Sequence, residues 1–187
     1  TKHRDFRVPG HAGTMTYGSP VAFDDAVKLT HYALKKGINH IDTANMYEGY
    51  NRYAGSAGGV AEEIVGKAIQ GMARGSVIVS TKVGMKVGDA PEDEGTSAAA
   101  IQKQLDASLK RMKTDYIDLY YLHRFDAAVD PVSILTAMQK AVFDGKIRYY
   151  GVSNYSAEQL KALLVAADEF DAAEDLQVGD LVLAIGN

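Results

Sequence analysis

The sequence contains no cysteine. That one absence removes disulfides, thiolate metal ligands and thiol nucleophiles together, and it fits a reducing compartment. No window reaches the eighteen or so continuous apolar residues of a membrane span, and the opening Thr1-Lys2-His3-Arg4-Asp5 lacks the apolar centre of a signal peptide. A cytoplasmic protein without membrane association is expected, with no metal site. Basic charge is not in excess either: 20 Lys and Arg stand against 24 Asp and Glu, a net charge of -4. No basic field is present to recruit nucleic acid. Nor does any Gly-x-Gly-x-x-Gly link a strand to a helix, so the dinucleotide-binding Rossmann fingerprint is missing.

What is present is a rhythm. At 187 residues the chain suits one domain over 1–187 with a sizeable core. After an opening with Gly10, Gly13 and Gly18, the β-prone run Thr14-Met15-Thr16-Tyr17 is a candidate first strand. Apolar residues Val21, Ala26, Leu29, Ala33 and Leu34 then recur at helical spacing, with Lys35, Lys36 and Gly37 as the stop. A strand from Ile38 ends at Asp42, and the Gly- and Tyr-rich stretch 48–59 reads as a lid or substrate-facing loop. Residues 60–70 read as a helix with Ile64, Val65 and Ala68 inward and Glu62 and Glu63 at its positive end.

The pattern repeats. Val77-Ile78-Val79-Ser80-Thr81 is a buried strand running into Lys82, and Ser97 caps a helix striped by Ile101, Leu105, Leu109 and Met112. Ile117 to Leu122 leads to His123, then Pro131 starts a helix carrying Ile134, Leu135, Met138 and Val142. Ile147 to Val152 ends in Ser153-Asn154, and Ser156 with Gln159 forms a capping box for a helix to about Ala167. Leu176-Gln177-Val178 reads as the start of a sixth strand, and 181–185 as a further apolar strand.

Strand–helix alternation demands parallel strands, which close into a barrel or stay open and doubly wound. Without the Rossmann glycines the barrel is the better reading. A complete (β/α)8 TIM barrel takes about 250 residues, so the chain is expected to be a fragment, or to join segments across gaps after about 174.

Three consecutive strands end on an ionisable residue, and in parallel strands Asp42, Lys82 and His123 project from one carboxyl edge. Tyr47 is a few loop residues away. An unperturbed phenol holds its proton far above neutral pH; a lysine ammonium beside it favours the phenolate, and an aspartate holds that lysine in place. A neutral imidazole can orient a carbonyl. Such parts suit reduction of an aldehyde or ketone by hydride. Each residue also has a plain reading: Asp42 as a turn residue, Lys82 as a surface lysine, His123 as a structural histidine, Tyr47 as one of eleven tyrosines, Ser153-Asn154 as a polar turn. His3, His11, His31 and His40 read as surface or core residues, and Tyr50 and Tyr53 as loop packing or substrate contacts.

Ile41-Asp42-Thr43-Ala44 with Tyr47, Ser80-Thr81-Lys82-Val83-Gly84, Asp115-Tyr116-Ile117-Asp118-Leu119-Tyr120 with Leu122-His123, and Gly151-Val152-Ser153-Asn154-Tyr155 together resemble the aldo-keto reductase superfamily, in the bacterial-type branch that includes potassium-channel β-subunits. The resemblance implies a (β/α)8 barrel that reduces a small-molecule carbonyl with NADPH. It implies Tyr47 as proton donor, His123 as its partner at the carbonyl, and Asp42 and Lys82 as the pair acting on the tyrosine. Ser153, Asn154 and Gln177 would hold the nicotinamide carboxamide, with Thr14 and Met15 near the cofactor. The family's late Gly-Ser and Arg loops for pyrophosphate and 2′-phosphate have no counterpart before Asn187, which leaves a non-catalytic binding or regulatory relative as the alternative. Substrate and oligomeric state are not set by the sequence.

Overall fold

A computed structural model describes residues 10–174. Five strands, β1 (His11–Gly13), β2 (His40–Asp42), β3 (Ile78–Val83), β4 (Ile117–Leu122) and β5 (Ile147–Val152), lie in one parallel sheet in chain order. Each is followed by a helix: α1 (Phe23–Lys35), α2 (Val60–Ile69), α3 (Ala98–Met112), α4 (Pro131–Phe143) and α5 (Ala157–Glu174). These are five successive units of the (β/α)8 architecture, each crossover returning the chain to start the next parallel strand.

Alternation along the strands sorts the side chains. Ile41, Val79, Val83, Leu122, Tyr150 and Val152 face the helices and join Val65, Ile101, Leu105, Leu135 and Met138 in the main core. A second, smaller cluster of Tyr17, Ala26, Ala61 and Ile64 fills the corner between α1 and α2, and Tyr47 packs on its edge. The helix ends follow their local chemistry. Ser97 accepts from the Ala100 N–H, Asp130 from Val132 and Ser133 just before Pro131, and Ser156 and Gln159 exchange bonds of 2.8 and 3.2 Å.

Two elements differ from the sequence reading. The first strand is His11–Gly13, and Thr14 to Tyr17 form the turn after it. The β-prone side chains there are outweighed by register: His11, Ala12 and Gly13 pair with His40, Ile41 and Asp42. And α5 continues to Glu174, seven residues past the expected end at Ala167, because nothing in that stretch breaks a helix. The strands expected at 176–178 and 181–185, and Gln177 with them, lie outside the described residues.

The amino-terminal end of the sheet is fastened by charge. Arg74 donates to the Val77 and Tyr116 carbonyls (2.7 and 3.0 Å), the Thr114 hydroxyl (2.9 Å) and the Asp118 carboxylate (2.7 Å). Asp118 also accepts the Val79 N–H at 3.0 Å. The guanidinium carbons of Arg74 and Arg148 lie 4.2 and 4.1 Å from the centre of the Tyr116 ring.

Candidate active site

The opposite, carboxyl end of the sheet gathers the ionisable strand ends. The residue just past four of the strands still donates its N–H to a neighbouring strand: Thr14 to Asp42 and Thr43 to Ser80 on the strand that follows, His123 to Val83 and Ser153 to Leu122 on the strand before, at 2.8–3.1 Å. This ladder sets the height of the side chains that follow.

Lys82 is buried, 7% exposed, which removes the surface-lysine reading. Its Nζ donates to Asp42 Oδ2 at 2.7 Å and to the Thr43 carbonyl at 2.8 Å, and reaches the Tyr47 hydroxyl at 3.4 Å. An ammonium has three protons and no acceptor, so those three partners account for it completely. The Tyr47 oxygen therefore accepts, and its own proton is left for another group. The Tyr47 ring meets the His123 ring edge-on, centroids 5.9 Å apart.

Burial, aided by the Lys82 ammonium, pushes His123 down to about 4. At neutral pH it is a neutral imidazole. Nδ1 of His123 is buried with no hydrogen-bond partner among the described residues. Tyr121 also faces this region, but burial and then Asp42 push its phenol up to about 12, which makes it a poor acid. Asp42, Tyr47, Lys82 and His123 are thus brought together from three strand ends and one loop.

Comparison with known proteins shows the family. A sequence model of the Aldo/keto reductase family matches residues 11–177. This chain belongs to the aldo/keto reductase family. It is 39% identical over 173 residues to the 6-dehydroglucose reductase of Novosphingobium aromaticivorans, covering 84% of this chain and 54% of that protein. It is 34% identical over 159 residues to an Arabidopsis thaliana protein named as a probable voltage-gated potassium channel subunit beta, covering 84% and 45%. With the uncharacterized oxidoreductase YrpG of Bacillus subtilis it shares 36% over 154 residues, covering 79% and 46%. The chain spans about half the length of the curated relatives it matches.

Other residues singled out in this aldo/keto reductase chain are placed unevenly. Asn154, with φ +56°, donates from Nδ2 to the His123 carbonyl (2.8 Å) and to Ser153 Oγ (3.0 Å), which fixes its amide at the carboxyl edge. Thr14 is fully buried and its hydroxyl donates to the Asp42 carbonyl at 3.0 Å, so its proton is committed to the backbone. Met15 is exposed in the turn after β1. The loop 48–59 is braced on several sides: Arg52 bonds the Met46 carbonyl (3.0 Å) and the Lys86 carbonyl, and Ser56 donates to Glu48 at 2.6 Å. Tyr50 and Tyr53 remain exposed on it.

Two neighbours of the four were not singled out by sequence. Ser80 and His40 extend the polar cluster along the same faces of β3 and β2, at 2.7 Å from Asp42 and 2.9 Å from Ser80 respectively. The period-two spacing of His40 with Asp42, and of Ser80 with Lys82, is the signal that marks them. Glu62, read as a helix-start charge, is instead fully buried between Thr81 and Arg111, at 2.6 Å from each. Among the described residues no cluster has the composition of a metal site, and no helix is long and apolar enough to cross a membrane.

Proposed function

We propose that this protein reduces an aldehyde or ketone to an alcohol with NADPH, and that Tyr47 donates the proton. The observation that carries this reading is the commitment of all three Lys82 protons, which leaves the Tyr47 hydroxyl accepting from Lys82 with its own proton free to donate. Lys82 stabilises the phenolate left behind by direct charge attraction, at a site shielded from water. Asp42 holds the ammonium and offsets its burial.

His123, neutral at working pH, positions the substrate oxygen by hydrogen bonding and leaves the proton transfer to Tyr47. The fit to a nicotinamide rests on Ser153 and Asn154. Asn154 Nδ2 is already held, so its Oδ1 remains to accept and the Ser153 hydroxyl to donate, one acceptor and one donor for a carboxamide. When bound, the dinucleotide supplies the hydride. Gln177, Thr14 and Met15 are proposed to complete its surroundings.

Tyr47→Phe tests the reading. Turnover of a panel of aldehydes will fall by roughly 100-fold or more, while NADPH binding followed by fluorescence stays within about twofold of wild type. Turnover near the wild-type rate in the variant would remove Tyr47 as the acid, and no turnover by the unaltered protein would remove the enzyme reading.

A further inference from the structure

We propose that His40 and Ser80 form a hydrogen-bond relay that fixes the orientation of Asp42, and so serve as positioning residues for the Lys82–Tyr47 pair. The catalytic part of this inference rests on the proposed reductase reading; the relay itself does not.

Four side chains occupy two adjacent strands in register. His40 and Asp42 lie two residues apart on β2, Ser80 and Lys82 two apart on β3, and Asp42 pairs with Ser80 across the ladder. All four therefore share one face. Ser80 Oγ donates to Asp42 Oδ1 at 2.7 Å while Lys82 Nζ takes Asp42 Oδ2 at 2.7 Å. Both carboxylate oxygens are then anchored, one from each side, and rotation of the carboxylate would break both bonds.

The direction of the relay follows from counting protons. An ionised carboxylate only accepts, so the single hydroxyl proton of Ser80 goes to Asp42. Ser80 Oγ must then accept from His40 Nε2, 2.9 Å away. His40 is fixed as the tautomer protonated on Nε2. Protonating Nδ1 would add a donor elsewhere and leave this bond in place, so the relay does not depend on the charge of His40. Ser80 is fully buried, and among the described residues its hydroxyl bonds His40 and Asp42 alone.

The consequence reaches Tyr47 through Lys82. An ammonium with two of its three directions anchored points the third. If Asp42 is free to turn, the anchor at 2.7 Å loosens and the contact to Tyr47, already the longest of the three at 3.4 Å, is the one lost. Thr43 provides the second anchor through its carbonyl, on the backbone, where no side-chain substitution alters it.

Two measurements on the purified protein decide it. Long-range proton–nitrogen NMR correlation of the histidine side chains, with His40 assigned through the His40→Gln variant, will show His40 protonated on Nε2, and Ser80→Ala will speed exchange of that proton with water. A wild-type His40 protonated on Nδ1 overturns the relay. In kinetics, Ser80→Ala and His40→Leu will lower kcat by roughly 10- to 100-fold with KM for NADPH little changed. His40→Gln keeps an N–H donor and will restore much of the loss. Wild-type kcat in both Ser80→Ala and His40→Leu overturns the positioning role while leaving the reductase reading intact. If the unaltered protein turns over no carbonyl, the reductase reading fails, and the NMR result alone upholds or overturns the relay.

Discussion

His123 shows how one residue's setting becomes a property of the whole chain. In the unfolded chain it takes up a proton near 6.5; in the folded protein it does so only near 4. Between those values the unfolded state binds more protons, so stability falls as pH drops from 6.5 toward 4 and the contribution is complete above 6.5. Its size is at most about 3 kcal/mol. His40, lowered first by its burial, acts in the same direction. Urea unfolding of wild type and His123→Asn at pH 7 and pH 5 checks this: the acid-side loss will be smaller in the variant, and an equal loss in both would assign it elsewhere. The four ionisable residues at the sheet edge could be read from sequence because each ends an apolar run or follows one closely. Period-two spacing puts His40 and Ser80 on the same faces as Asp42 and Lys82, but their bond to each other depends on the register between two strands, which neither strand states by itself.

At the scale of elements, helices were legible where apolar spacing and capping coincided, as at Ser97 and at Ser156 with Gln159. The first strand was not, since His11-Ala12-Gly13 has little intrinsic preference and exists by pairing with β2. The contact between α2 and α3 was equally hidden. Gly66 lies so close to α3 that a Cβ there would stand 2.6 Å from the Met112 Cα and 2.8 Å from its carbonyl oxygen. Backbone atoms cannot step aside as a side-chain tip can. Gly66→Ala will therefore lower stability by roughly 1–3 kcal/mol despite alanine's better helix propensity, measured as a lower denaturant midpoint. An unchanged midpoint would mean that the two helices separate easily. Glu62→Ala is a second test of this layer: it leaves Arg111 and Thr81 without their buried carboxylate and will cost about 3–5 kcal/mol, again read from the midpoint. A loss no larger than a surface substitution gives would make the pair dispensable.

Across the whole molecule, strand–helix alternation and the missing Rossmann glycines led to a parallel sheet in barrel order, and the five described strands follow that order. Their lengths are uneven. β4 has six residues and a neighbour on each side, whereas β1 has three and pairs only with β2 among the described strands. Opening should therefore be graded along the sheet: in native-state hydrogen exchange the β4 amides will be among the slowest and those of β1 among the fastest. Equal protection of the two would show one cooperative unit.

The stacking of Arg74 and Arg148 on Tyr116, with Asp118 beneath, keeps the strands together from the end opposite the proposed site. Cohesion and reactivity are thus entrusted to different residues. A change within the loop 48–59 leaves the fastening at the other end untouched.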